Sequence, residues 1–99
     1  MLLATNMTNN AVFKDIYDAI AQNNLQKAEA LVQEQQSVFE NNATLFYLQG
    51  KIHMKRSNWG EAMSSFLKAE SLDPLGPAHE CMQMLTEIME FYNKDMYNQ

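Results

Sequence analysis

Apolar residues along this chain recur three or four positions apart, which is the spacing of one face of an α-helix. Short polar connections interrupt this pattern, and Asp73-Pro74 interrupts it before the last stretch. Only three Gly and two Pro occur in the sequence, which suits long helices joined by short connections. The pattern therefore predicts an all-α protein. The five predicted helices cover residues 9–22, 25–38, 43–56, 59–71 and 77–94.

Two local signals mark the starts of the last two helices. Asn58 is followed by Glu61, which is the pattern of a capping box, and Pro77 suits the first turn of the fifth helix. We expect the apolar stripe of the fifth helix to cover Trp59, Phe66 and Leu67 on the fourth. That stripe consists of Ala78, Cys81, Met82, Leu85, Ile88, Met89 and Tyr92.

The sequence repeats itself when it is shifted by 34 residues. A fixed period of this length is typical of stacked helical hairpins, in which each hairpin covers an apolar face of its neighbour. We therefore predict one hairpin over residues 9–42 and a second over residues 43–76. The aligned apolar pairs are Val12 with Phe46, Leu25 with Trp59, Ala28 with Ala62, and Val32 with Phe66.

Several residues of the second hairpin lie at the spacings of a known helical repeat. They are Phe46, Gly50, Ala62, Phe66, Ala69 and Pro74. Through these residues the second hairpin resembles the tetratricopeptide-repeat family. Gln49 and His53 depart from the Leu and Tyr that the family usually has, and the first hairpin matches mainly at Ala28.

The resemblance implies a particular architecture, that of small two-repeat bacterial proteins of this family. Two TPR-like hairpins would form a short right-handed superhelix. A C-terminal capping helix over residues 77–94 would close its open end, because a terminal repeat must cover the last apolar face. We expect residues 1–8 to be a flexible N-terminus and residues 95–99 to be a mobile tail.

In the family that the chain resembles, the first helix of each hairpin lines a concave groove that holds a partner polypeptide. Aromatic rings supply contact area at low entropic cost, and lysine ammonium groups can meet carboxylates. The resemblance thus implies a non-catalytic adaptor that binds a protein or a peptide. Phe13 and Ile20 have a second interpretation, as core residues. Carried onto this sequence, the groove consists of Phe13, Tyr17, Ile20, Tyr47, Lys51, Met54 and Lys55.

The charge of the chain limits its partners. The net charge is −5, and an acidic protein is poorly suited to binding phosphate backbones, so we expect no nucleic-acid partner. Cys81 is the single cysteine and cannot form an internal disulfide.

The sequence shows no sign of export or of membrane insertion. The N-terminal residues lack the basic region of a signal peptide, and no stretch has the length of a membrane helix. We expect a cytoplasmic protein with no membrane partner.

No catalytic motif is present, so we predict that the protein is not an enzyme and needs no cofactor. Residues 79–84 hold a histidine, a cysteine and two methionines, which are soft metal ligands. On a helix, however, Cys81 and Met82 fall on the apolar stripe while Met84 points elsewhere, so we predict no metal site. The alternative function is a self-associating structural subunit, a homodimer formed through the tail or through the open face around Val12 and Phe13.

Overall fold

The computed structural model describes the backbone of residues 2–97 and the side chains of residue 11 and residues 13–91. Within this part of the chain the fold is all-α, as the sequence predicts, and it contains no strand. None of the helices among the described residues combines the length and the apolar character needed to cross a membrane. The helices are α1 (Leu2–Ala21), α2 (Leu25–Gln36), α3 (Ala43–Lys55), α4 (Trp59–Leu72) and α5 (Ala78–Tyr97).

Left-handed backbone conformations end the first three connections. Asn23, Asn41 and Ser57 have φ angles of 61°, 55° and 62°. Each is followed directly by the N-cap residue of the next helix. Asparagine tolerates this conformation better than most residues because its short side chain can hydrogen-bond locally, whereas serine has less to gain there. Three polar residues therefore reverse the chain where glycine would be the usual choice.

The N-caps of the helices differ in strength. The side-chain oxygen of Asn42 accepts the N–H of Leu45 at 3.2 Å, which satisfies one of the unpaired donors at the start of α3. Asn58 occupies the N-cap position of α4, but its side chain makes no capping hydrogen bond. The predicted capping box is therefore wrong in its side-chain contacts. Glu61 instead lies beside α3, with its Oε2 atom 3.4 Å from Nδ1 of His53.

Two clusters of buried side chains form the core. The first joins α1, α2 and α3, and the second joins α4 and α5. Tyr47 of α3 packs against both clusters, so this helix holds the two halves of the molecule together. The first cluster contains Ile16, Ala19, Ile20, Ala28, Val32, Leu45, Leu48 and Ile52, and the second contains Ala62, Phe66, Ala69, Ala78, Cys81 and Leu85.

A glycine allows α3 and α4 to approach closely. The Phe66 side chain is completely buried, and its ring lies directly over Gly50. A Cβ atom placed on Gly50 would be 2.5 Å from Cε1 of Phe66, which is far inside van der Waals contact. Any larger residue at position 50 would displace the ring. Gly50 and Phe66, which both match the repeat pattern of the second hairpin, are thus in contact between its two helices.

The observed helix ends and exposures differ from the prediction in several places. Helix α1 begins at Leu2, within the predicted flexible segment, because residues 2–21 contain no glycine or proline to end a helix. Helix α5 continues to Tyr97, into the predicted tail. The predicted burial of Leu67 is wrong. Its side chain is 51% exposed because it lies about 100° around α4 from Phe66, away from α5. Val38 follows the end of α2 and is also exposed.

Candidate functional site

Two of the predicted groove residues belong to the core. Ile20 is only 5% exposed and lies in the cluster between α1, α2 and α3, so its assignment to the groove is wrong. Phe13 packs against the same cluster, and its ring meets that of Phe39 edge-on at a centroid distance of 6.2 Å. Positions 13, 16 and 20 share one helix face, and this face is turned toward the neighbouring helices. Ile20 is therefore a core residue, and Phe13 is a partly buried residue that packs against the core.

Tyr17 and Tyr47 remain accessible on the same side of the molecule. Tyr17 is 46% exposed, because it lies one position beyond the buried Ile16. Tyr47 is half-buried, with its ring centroid 5.9 Å from that of Phe66. Tyr47 therefore supports the core with one part of its ring and contributes to the surface with the other. The two tyrosines also lie close enough to influence each other electrostatically.

The other predicted groove residues lie along α3. The ammonium group of Lys51 is 6.0 Å from the centroid of the Tyr47 ring, within the range of a cation–π contact. Lys55 follows one turn later and is exposed. Met54 is partly buried and packs against the second cluster, so it serves mainly as core. The exposed part of the predicted groove is thus carried by Tyr17, Tyr47 and the two lysines.

A pocket of about 70 Å³ opens between the two tyrosines. A single water needs roughly 10–15 Å³ of such space, so the pocket has room for the end group of an amino-acid side chain. Helices α1, α3, α4 and α5 all contribute to its walls. The lining residues are Tyr17, Ala43, Thr44, Tyr47, Ala69, Asp73, Gly76, Pro77 and Ala78.

A tight turn between α4 and α5 forms one side of the pocket. The N–H of Gly76 donates to the carbonyl oxygen of Asp73 at 3.0 Å. The Asp73 carboxylate lies over Gly76, so a Cβ atom at position 76 would be 2.9 Å from its Oδ2 atom. Glycine at this position therefore lets the carboxylate sit close to the backbone at the rim of the pocket.

The surroundings of the pocket favour the protonated form of both phenols. Burial, and to a smaller extent the neighbouring Cys81, Tyr17 and Glu80, raises the pKa of Tyr47 to about 12. Burial also raises the pKa of Tyr17 above its usual value. Both hydroxyl groups are therefore neutral near pH 7, where each can donate and accept a hydrogen bond. Asp73 is the charged residue of the lining.

The soft ligands of residues 79–84 do not converge. Cys81 is buried, whereas Met84 is exposed, and the ring of His79 instead lies near α4, with its Nδ1 atom 3.5 Å from Oε2 of Glu70. Among the described residues, no three side chains of His, Cys, Asp or Glu come together as metal ligands. Cys81 packs in the second core cluster, beside Tyr47.

The sequence analysis missed one half of the pocket. The end of α4, the connection and the start of α5 supply Ala69, Asp73, Gly76, Pro77 and Ala78. The predicted groove is confined to the first helix of each hairpin, α1 and α3. It therefore does not include the side of the pocket that α4, α5 and their connection form. The cluster of turn residues from Asp73 to Pro77 is the signal in the sequence that could have drawn attention to it.

Comparison with known proteins supports the fold. Neither the protein-family models nor the curated protein sequences contain a match to this chain. The chain is similar to Bacteroides fragilis protein BF1650, a structural-genomics target whose structure was solved by solution NMR. The two structures superpose with a TM-score of 0.76, and the sequences are 32% identical over 88% of this chain and 89% of the other. This chain therefore belongs to the same family as Bacteroides fragilis protein BF1650.

Proposed function

We propose that this protein is a non-catalytic adaptor that binds a segment of a partner polypeptide across α1 and α3. The observation that carries the proposal is the pocket between Tyr17 and Tyr47, together with Lys51, whose ammonium group approaches the ring of Tyr47. Partly exposed aromatic rings next to a positive side chain are a composition that protein interfaces favour. A pocket of about 70 Å³ is small for a metabolite but suits one side chain of a peptide.

A tetratricopeptide-like arrangement of the helices is part of this proposal. The close approach of Gly50 and Phe66 between α3 and α4 supports it, as does the burial of Ala62 and Ala69 at the positions where the repeat has small residues. In such an arrangement α5 covers the second hairpin, which agrees with the burial of Leu85 in the cluster that α4 and α5 share. The surface beside Tyr17 and Tyr47 would then be the concave side of a short superhelix.

The partner segment would be held by a few anchoring contacts. Tyr17 can lie against an incoming chain because nearly half of its surface is already open. Lys51 and Lys55 can meet carboxylates of the partner farther along α3. Interfaces usually concentrate their binding energy in a few residues, and aromatic residues are prominent among these. We therefore expect Tyr17 to contribute more to binding than either lysine.

The test is capture of partners from the source cell with variants that leave the core intact. Tyr17→Ala and Lys51→Glu change the surface beside the pocket, and Lys27→Glu makes the same charge change on the exposed face of α2. We expect wild type and Lys27→Glu to retain the same polypeptide and the other two variants to lose it. Tyr47 is unsuitable for this test because it packs against both core clusters.

Two results would contradict the proposal. One is capture by Tyr17→Ala and Lys51→Glu that equals wild type while circular dichroism shows all variants to be folded. The other is dimer formation, seen as a molecular mass that doubles as the protein concentration rises. In that case Tyr17→Ala and Lys51→Glu would fail to form the dimer but would still capture the partner. The second result would support a self-associating subunit instead.

A further inference from the structure

The chemistry of the pocket between Tyr17 and Tyr47 is selective for charge. Asp73 carries the one full charge in its lining, and no lysine or arginine of the described residues lines it. In the part of the chain that the structure describes, Asp73 forms no ion pair with a basic side chain. The carboxylate therefore lies at the rim of an aromatic pocket without an internal cation to neutralise it.

The surroundings of the pocket add both signs of charge, and the negative sign dominates. Glu80, in the first turn of α5, lies close enough to raise the pKa of Tyr47. The N-terminus of α5 contributes a partial positive charge of roughly half a unit, which is less than the full charge of Asp73. Lys51 approaches the ring of Tyr47 at 6.0 Å but does not line the pocket. Asp73 and Glu80 would thus repel an anion in the pocket and attract a cation.

The walls of the pocket suit a planar cation. Tyrosine rings attract cations through the negative potential of the ring face, and a guanidinium group can also stack on them. The hydroxyl groups of Tyr17, Thr44 and Tyr47 offer acceptors at the edges of the pocket. A carboxylate such as that of Asp73 can accept two parallel hydrogen bonds from a guanidinium group, which a lysine ammonium cannot provide.

From this arrangement we infer that the pocket between Tyr17 and Tyr47 binds an arginine side chain of the partner segment, with Asp73 pairing with its guanidinium group. The inference rests on the proposed function, because the arginine belongs to the polypeptide that the adaptor captures. It adds the chemical class of the anchoring residue. The space of about 70 Å³ matches an end group that enters from outside, with the rest of the segment lying across α1 and α3.

Short synthetic peptides test the inference without knowledge of the partner. The probe is N-acetyl-Gly-Arg-Gly-amide, and the control peptide has citrulline, a neutral group of the same shape, in place of arginine. Binding is followed by ¹H–¹⁵N NMR titration, which detects millimolar affinities. We expect saturable shifts at Tyr17, Tyr47 and Gly76, a dissociation constant at least tenfold weaker for the citrulline peptide, and weaker arginine binding at higher salt.

Two matched variants identify the group that recognises the charge. Asp73→Asn keeps the size of the side chain, and it leaves intact the turn that the Gly76 N–H makes with the backbone of residue 73. It should weaken the arginine peptide to the level of the citrulline peptide. Glu34→Gln makes the same change on the exposed face of α2 and should have no effect. Tyr17→Leu, at a half-open position, should weaken both peptides.

The inference is overturned if arginine and citrulline peptides bind equally, if a glutamate peptide binds more tightly, or if Asp73→Asn binds arginine as wild type does. A result of this kind leaves the adaptor function standing when capture of the cellular partner still depends on Tyr17. Conversely, the pocket could bind arginine specifically while partner capture does not depend on Tyr17. That result would contradict the proposed function and still support the arginine site.

Discussion

Substitution of Gly50 by alanine tests the closest contact in the core. Alanine is normally the better residue inside a helix, by about 1 kcal/mol relative to glycine. At Gly50, however, the new methyl carbon would lie 2.5, 2.7 and 2.9 Å from three ring atoms of Phe66. The ring is completely buried and cannot turn into solvent. The sign of the stability change therefore depends on whether the clash outweighs the gain in helix propensity.

We expect the cost of the clash to exceed the gain in helix propensity. Overfilling a packed core costs about 1–3 kcal/mol and sometimes more, and here the backbone of α3 or α4 must shift to relieve it. Three contacts below 3.0 Å place this clash at the upper end of that range, about 2–3 kcal/mol. After the gain of about 1 kcal/mol in helix propensity we expect Gly50→Ala to lower the free energy of unfolding by about 1–2 kcal/mol. In a domain of this size that corresponds to a fall in Tm of about 4–16 °C. Urea unfolding and calorimetry measure both quantities.

Gly60 provides the matched control. It is also a helical glycine, in the first turn of α4, but nothing lies within 4 Å of the position that its Cβ would occupy. We expect Gly60→Ala to raise the free energy of unfolding by about 0.5–1 kcal/mol. Adding Phe66→Leu to Gly50→Ala should cost less than the two single changes summed, because the smaller side chain makes room for the methyl group. Equal stabilisation by both glycine substitutions, or strict additivity of the double variant, would refute this account of the contact.

Two further changes probe the caps and the pocket. Asn42→Ala should lower stability by about 1 kcal/mol because it removes the hydrogen bond to the N–H of Leu45, whereas Asn58→Ala should cost clearly less; thermal unfolding of both variants decides this. Stability should fall as the pH rises from 10 toward 12, because unfolded Tyr47 ionises near pH 10 while the folded protein holds that proton until about pH 12. Tyr47→Phe should weaken this decline in urea unfolding at pH 10 to 12, and an unchanged decline would argue against a buried phenol.

The helical pattern of the sequence is sufficient to predict the fold class and most of the second hairpin. The burial of Ala62 and Phe66 follows from their place in the 34-residue period, because a repeat that stacks must bury the same positions in each unit. The burial of Ala69 follows from the family pattern that the second hairpin resembles. Gly50 is likewise identified by its place in the repeat pattern. These predictions succeed because they depend on local spacing and on contacts within one hairpin.

Predictions that depend on the orientation of a helix are less reliable. Residues 13, 17 and 20 fall on one broad face of α1, and the periodicity alone does not say which edge of that face turns inward. The structure turns Ile16 and Ile20 into the core and Tyr17 outward, about 100° around the helix from Ile16. The choice is made by packing against α2 and α3, which no local signal in the sequence encodes. The pocket escaped prediction for the same reason, since its walls come from four helices.

The double position of Tyr47 would link stability to the proposed binding. Its ring packs against both core clusters, and it also forms a wall of the pocket. A group that fills the pocket would therefore contact Tyr47, the residue that packs against both core clusters. Because a ligand that binds only the folded state stabilises it by mass action, an occupant of the pocket should slow local opening of α3 relative to the surrounding helices. The same argument gives a physical reason for a proposed recognition residue at this junction. A ring already held by the core loses little conformational freedom when a partner binds.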